Sequence, residues 1–295
     1  MAAAKAMKSV APRVRVAFLL LAALLAKEIA SADETSPPHE RLTLTSAALH
    51  EVRRINVYLP PSYDADPGRR YPVLYMLDGG EAEDFPHVTR AADRLIRQGA
   101  VRPFVIVGIE NTVRRRDMTG PTQDAADLKV TSSPGGAPSF RRFLASELIP
   151  VVESRYRLTR ESAVIGESLA GLFVIDTLMQ EPDLFDAYVA IDPSLWWNRR
   201  EAIRALPERL AAFGQRHVRV LLTAGGEQSN RPEVDAFSDS LSRAAPKGLL
   251  WHYVPRPDLR HDNIYRGMEE QLLTDTFGFA TRNSGRGDTL GNHPR

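Results

Sequence analysis

The stretch Ser162-Ala163-Val164-Ile165-Gly166-Glu167-Ser168-Leu169-Ala170-Gly171-Leu172-Phe173 constrains this chain more than any other. Ala163 to Ile165 is a short apolar run and reads as a buried strand. Small residues follow, and the amphipathic pattern from Leu172 to Gln180 reads as a helix. Gly166-Glu167-Ser168-Leu169-Ala170 sits between them, in the strand–turn–helix context that a nucleophile elbow requires. Gly166 and Ala170 flank the serine where so tight a turn excludes bulky side chains. Such a turn lifts the Ser168 hydroxyl above the strand end and aims the first amides of the helix, Leu169 among them, at the same point. The plainer alternative is an ordinary tight turn capped by Ser168.

The flanking pattern predicts an α/β fold. Leu42 to Thr45 and Glu51 to Leu59 alternate apolar and polar residues, as antiparallel strands at a half-exposed sheet edge do. Tyr71 to Leu77 and Pro103 to Ile109 are nearly continuous apolar runs and predict buried central strands. His87 to Gln98 has helical spacing; Glu110 to Ala137 reads as a long loop, and Phe140 to Tyr156 as a helix. Further strands are expected at Ala187 to Ile191, His217 to Thr223 and Leu249 to Val254, with helices at Arg200 to Phe213, Val234 to Ala244 and Ile264 to Phe277. Strands alternating with helices imply a mainly parallel central sheet, helices on both faces and antiparallel leading strands at one edge.

The amino-terminal segment reads as a signal peptide over residues 1–32. Lys5, Lys8, Arg13 and Arg15 precede an apolar run from Val16 to Ala26, and Ala30-Ser31-Ala32 supplies small residues for cleavage. The run is well short of the roughly twenty residues that span a bilayer. The expectation is an exported protein, periplasmic or secreted, with no stable membrane span after cleavage. A lead over 33–41, one domain over 42–279 and a disordered tail over 280–295 follow. The formal net charge of +1 gives no reason to expect a nucleic-acid partner. The absence of cysteine excludes thiol chemistry and disulfides.

A serine hydroxyl needs a base, and usually an acid to orient that base. Among seven histidines, His261 alone lies in a loop beyond the last strand and downstream of Ser168, and it is the expected base. Glu227, which follows the penultimate strand through Gly225-Gly226, is the expected acid, with Asp192 at the preceding strand end as runner-up. The amide of Leu169 and one from Gly79-Gly80, at the end of the Tyr71 to Leu77 strand, would form an oxyanion hole. Trp196 and Trp197 are candidates for an aromatic substrate wall. Arg116, with its neighbours Arg114 and Arg115, is a candidate for holding an anionic or catechol-bearing acyl group. No phosphate loop or zinc-binding HExxH spacing occurs, so no cofactor and no metal is called for.

Several of these stretches together carry a family resemblance: Tyr75-Met76-Leu77-Asp78-Gly79, Ile109-Glu110-Asn111-Thr112 with Arg114 to Asp117, Gly166 to Phe173, and Asp192-Pro193-Ser194-Leu195-Trp196-Trp197. In that order they resemble the bacterial putative-esterase branch of the α/β-hydrolase superfamily, which includes siderophore trilactone hydrolases and is related to esterase D. The resemblance runs from about residue 42 to 279. It implies an α/β-hydrolase fold, Ser168 as nucleophile, His261 as base, and a small-molecule ester substrate, siderophore-like or a small acyl ester. Relatives of this kind can also work with a Ser–His pair lacking a well-placed acid. An acyltransferase on the same site and a non-catalytic binding module on the same fold are the alternatives.

Overall fold

The computed structural model describes residues 35–214 and 216–279. The expected signal segment and tail, 1–32 and 280–295, lie outside these. Eight strands form one sheet: β1 (His39–Ser46), β2 (Glu51–Tyr58), β3 (Tyr71–Met76), β4 (Val105–Ile109), β5 (Leu158–Glu167), β6 (Ala187–Ile191), β7 (Val218–Ala224) and β8 (Leu249–Pro255). Their order is β1-β2-β4-β3-β5-β6-β7-β8. β1 pairs antiparallel with β2, and β2 with β4; every later pairing is parallel. The alternating sequence of β1 sits at the edge, where one face meets water, and the apolar runs of β3, β4 and β6 are buried throughout.

Successive side chains of a strand point to opposite faces, and the two cores divide accordingly. Leu74 and Met76 of β3 pack with Val88 and Leu95 of α1 (Phe85–Arg97) and with Met268 and Leu272 of the closing helix. Val73 and Tyr75 of the same strand face the larger core, with Phe140, Phe173, Leu206 and Phe237 from the helices of the other face. Burying side chains of this kind is worth about 1.5–3 kcal/mol each.

Two segments depart from their sequence patterns. Residues 137–155 form α2 (Ala137–Phe143), a wider π-turn at Leu144–Leu148 and α3 (Ile149–Arg155), not one regular helix. Pro150 has no amide hydrogen to donate one turn back, and a wide turn just before it accommodates that loss. The long loop contains single helical turns at Arg114–Asp117 and Asp127–Val130. Arg53, fully buried on β2, fixes the first of them through a 2.6 Å ion pair with Asp117. Removing one partner of such a pair costs about 3–5 kcal/mol.

Besides a single helical turn at Ser62–Ala65, the remaining helices are α4 (Leu169–Gln180), α5 (Trp197–Ala211), α6 (Arg231–Ala244) and α7 (Ile264–Phe277). The parallel strands all end at the same edge of the sheet, and the turns leaving β3, β5, β6 and β8 converge there.

Candidate active site

Ser168 joins β5 to α4 with φ 59° and ψ −117°, a conformation that few non-glycine residues adopt. Three bonds hold it there. Its amide donates to Ile191 O at 2.9 Å, and its carbonyl accepts from the amides of Leu172 and Ser194, each at 2.9 Å. A Cβ placed on Gly166 would come within 2.7–2.8 Å of Ala170, which is why the pentapeptide is small at both ends. The strain is therefore over-determined by its surroundings, as strained functional residues require. The Leu169 amide opens α4, and no helical carbonyl precedes it to accept its hydrogen.

His261 lies in the loop between β8 and α7. Its Nε2 is 3.0 Å from Ser168 Oγ, and its Nδ1 is 2.6 Å from Asp192 Oδ2. Asp192 is fully buried at the end of β6. A buried carboxylate accepts only, so Nδ1 carries the ring hydrogen and Nε2 is left to accept from Ser168. The hydrogen bond to Asp192 raises the imidazole pKa against the opposing effect of burial; the charges of Asp192 and Glu167 raise it further.

Glu227 does not hold the histidine, contrary to the expectation from its position after β7. It is exposed. Its Gly225-Gly226 approach packs beneath the histidine loop, the Gly226 amide donating to Leu259 O at 2.7 Å. That turn supports the loop's backbone and leaves the Glu227 carboxyl outside. Asp192, one strand earlier, takes the place.

Asn230 then fixes Asp192. Its amide donates to Asp192 Oδ1 at 3.0 Å, and its Nδ2 donates to the Asp192 carbonyl at 2.7 Å. Its Oδ1 in turn accepts from Trp196 Nε1 at 3.0 Å. Trp196 thus stands in the support of the acid. Trp197 is buried, donates to Gly120 O at 3.2 Å, and walls a cavity of about 340 Å³ that neither Ser168, Asp192 nor His261 lines. Trp197 therefore lines a cavity apart from the catalytic residues, and the Trp196 indole N–H is spent on Asn230. Sequence reasoning also missed Ser194, whose Oγ lies 3.2 Å from Ser168 Oγ.

On the other side of Ser168 the turn after β3 is already engaged. The Gly79 amide donates to Ile109 O at 2.9 Å, and the Gly80 amide to Glu83 Oε2 at 2.7 Å. Both expected oxyanion donors from this turn are therefore spent, and of the three only the Leu169 amide is open. The arginines are engaged too. Arg114 forms a two-pronged pair with Asp78 and donates to the Glu167 carbonyl. Arg116 donates to Asp117 and Glu51. Burial alone would raise the Glu51 carboxyl, but hydrogen bonds from Arg116, Thr112 and Arg53 hold its pKa down to about 2. Arg116 is thus structural, and its expected role in holding an anionic acyl group is not met. Glu167 is half-buried, and no hydrogen bond reaches its carboxyl. Burial, and after it the charge of Asp84, raises that carboxyl to about 7. Among the described residues no group of acids and histidines has the arrangement of a metal site.

Residues 46–247 match the model of the family described as putative esterase. The chain belongs to this family. It is 30% identical over 195 residues to the ferri-bacillibactin esterase BesA of Bacillus subtilis, a match covering 60% of this chain and 66% of that one, so just under two thirds of that relative's length is spanned. It is 26% identical over 251 residues to the apo-salmochelin esterase of Escherichia coli O6:H1, covering 77% of this chain and 76% of the relative. In structure it is similar to an IroE-like serine hydrolase from Shewanella oneidensis, with a TM-score of 0.71 and 28% identity over 81% of this chain and 78% of the other. The eight-stranded sheet is accordingly an α/β-hydrolase sheet.

Proposed function

We propose that this family member is an exported serine carboxylic-ester hydrolase that works through an acyl-enzyme. The arrangement that carries the reading is the contact of His261 Nε2 with Ser168 Oγ at 3.0 Å, backed by Asp192 on Nδ1. Ser168 attacks the ester carbonyl while His261 accepts its proton. The imidazolium so formed is held by the buried Asp192. The Leu169 amide donates to the oxyanion of the tetrahedral intermediate, a donor worth about 2.7–4 kcal/mol in such a site. Collapse transfers the proton from His261 to the departing alkoxide. Water, deprotonated by the same histidine, then attacks the acyl-enzyme and releases the acid and Ser168.

The named activities of the bacillibactin and salmochelin relatives support a siderophore-like ester as the substrate class. Residues 42–279 would carry the activity as one domain. No described helix is long and apolar enough to cross a membrane. Export rests on residues 1–32, and the amino terminus of protein recovered from cell fractions, expected near Asp33, tests it.

The activity is tested by hydrolysis of p-nitrophenyl acetate to octanoate by the mature protein and by Ser168→Ala. The variant should lose about 10³-fold or more in kcat/KM. Equal rates in the two proteins would overturn the serine mechanism.

A further inference from the structure

The sheet ends in two edge strands, and the two are finished differently. β1 carries Glu40, Arg41, Thr43 and Thr45, all exposed, which is how a strand is kept from recruiting a neighbour. β8 has no such guard. Leu249-Leu250-Trp251-His252-Tyr253-Val254 holds no carboxylate, no lysine or arginine and no proline. Its register with β7 runs from Val218 against Leu249 to Ala224 against Pro255 without a bulge. Leu250 is 52% exposed, His252 is exposed, and Trp251, Tyr253 and Val254 are half-buried.

The backbone of β8 fixes which groups face outward. The Gly248 carbonyl accepts from the Val218 amide, and the Arg256 amide donates to Ala224 O, so the even-numbered residues turn their amides and carbonyls toward β7. The odd-numbered residues turn theirs away. Of these, Leu249 closes the preceding turn by donating to Pro246 O, and Pro255 has no amide hydrogen. That leaves the amides and carbonyls of Trp251 and Tyr253, which have no partner among the described residues. Unpaired edge groups of this kind are a template for another strand.

We infer that β8 is the contact through which two copies of this chain associate, pairing antiparallel about a two-fold axis at His252, so that two eight-stranded sheets become one. This register matches every free group. Trp251 of one copy and Tyr253 of the other exchange both amide-to-carbonyl bonds, and the symmetry repeats the exchange on the other side of the axis. Leu249 falls opposite Pro255, where neither residue has an amide hydrogen left to place. A register centred on Trp251 would instead set Tyr253 against Leu249, whose amide is already spent. The side chains agree with the backbone. Trp251 meets Tyr253 on the face of the larger core, and Leu250 meets Val254 on the other face, aromatic and apolar pairs of the kind that stabilise neighbouring strands. The strand is thus its own complement, which the edge of an unrelated protein would not be. None of these residues belongs to the relay from Ser168 to Trp196, so the contact does not depend on the esterase reading.

The chain has no cysteine, so a single introduced one can bridge only to its own copy. Across the axis His252 faces His252 in a non-hydrogen-bonded pair, with Cα atoms about 4.5 Å apart, inside the roughly 4.4–6.8 Å that a disulfide spans. His252→Cys in the mature protein, oxidised with copper–phenanthroline, should therefore give a covalent dimer. Leu250→Cys, also exposed, lies about 13 Å along the strand from its copy and should not. Sedimentation velocity without oxidant, from about 1 to about 100 μM, should show a monomer–dimer equilibrium. Its dissociation constant should rise about tenfold or more in Leu250→Lys and stay unchanged in Thr43→Lys on β1. All of these positions are exposed, so the fold of the monomer is not at stake. A monomer at every concentration, or cross-linking no better at 252 than at 250, overturns the inference. A dimer that Leu250→Lys leaves intact is held elsewhere and overturns it as well.

Discussion

The two sides of Ser168 are built on opposite principles. Toward β6 and β8, each donor has one acceptor: Ser168 to His261, His261 to Asp192, Asn230 to Asp192, Trp196 to Asn230. This relay carries one buried carboxylate, Asp192, and every link in it is satisfied. Toward β3, carboxyls outnumber cations, two amides are spent, and Glu167 is unmatched. A proton-transfer relay needs fixed geometry before substrate arrives, and the first side has it. The second side lacks that closure, because the Glu167 carboxyl beside the serine has no hydrogen-bond partner within the protein. The serine stands where a finished half meets an unfinished one.

The largest expected effect separates the two acids on the finished side. Asp192→Asn keeps the shape but offers His261 an amide that can leave it in the wrong tautomer, and kcat should fall about 10⁴-fold. Glu227→Gln, at an exposed position, should change kcat by less than about twofold. Steady-state kinetics on both variants checks this. A larger loss at Glu227 than at Asp192 would break the comparison at its root.

Asn230→Ala comes next. It removes the Nδ2 donor to the Asp192 carbonyl and the acceptor for Trp196, while the backbone amide still reaches Asp192 Oδ1. A lost buried hydrogen bond with its partner stranded costs about 1–3 kcal/mol, so thermal unfolding should show a loss of that size. kcat should fall by about tenfold as Asp192 loosens.

The pH profile joins the two sides. His261 must be neutral to accept the serine proton, and its pKa is raised, so kcat/KM should climb on an acid limb lying above that of a free imidazole. The Glu167 charge contributes to that rise. Removing it in Glu167→Gln lowers the imidazole pKa, and the acid limb should move to lower pH. A limb that stays put would show that the two halves do not communicate electrostatically.

What the sequence made legible follows the range of the interactions involved. Ser168 could be read because its elbow is local: Gly166 and Ala170 are neighbours in the chain and in space. The parallel strands could be read from apolar runs, and α7 from its periodicity, because each pattern is contained in one segment. His261 emerged by its place in the order of elements. The acid did not, because Glu227 and Asp192 both end parallel strands after the serine. The choice between them depends on the Gly226 amide meeting Leu259, a contact across 33 residues of chain. Arg116 looked free for the same reason: its partner Glu51 lies 65 residues away, on another strand. Gly80 looked free because nothing in a Gly-Gly pair announces that Glu83 will turn back onto it. Glu167 was visible as an acid beside the nucleophile, but its lack of a partner is a property of the folded surroundings alone.

The smallest expected effect concerns Ser194, which is buried with its Oγ 3.2 Å from Ser168 Oγ. Either hydroxyl has the chemistry to donate. With the ring hydrogen of His261 on Nδ1, the Ser168 hydrogen belongs to Nε2, and Ser194 is then the donor to Ser168. A donor of this kind holds the Ser168 hydroxyl in line with the histidine, yet it also weakens the oxygen as a nucleophile, so the two consequences partly cancel. Ser194→Ala should therefore lower kcat by only about two- to fivefold, in keeping with the roughly 0.5–1.5 kcal/mol net worth of one neutral hydrogen bond. A rise in kcat would mean that Ser194 accepts the proton in the resting enzyme and competes with His261, and the finished side of the site would then carry one flaw of its own.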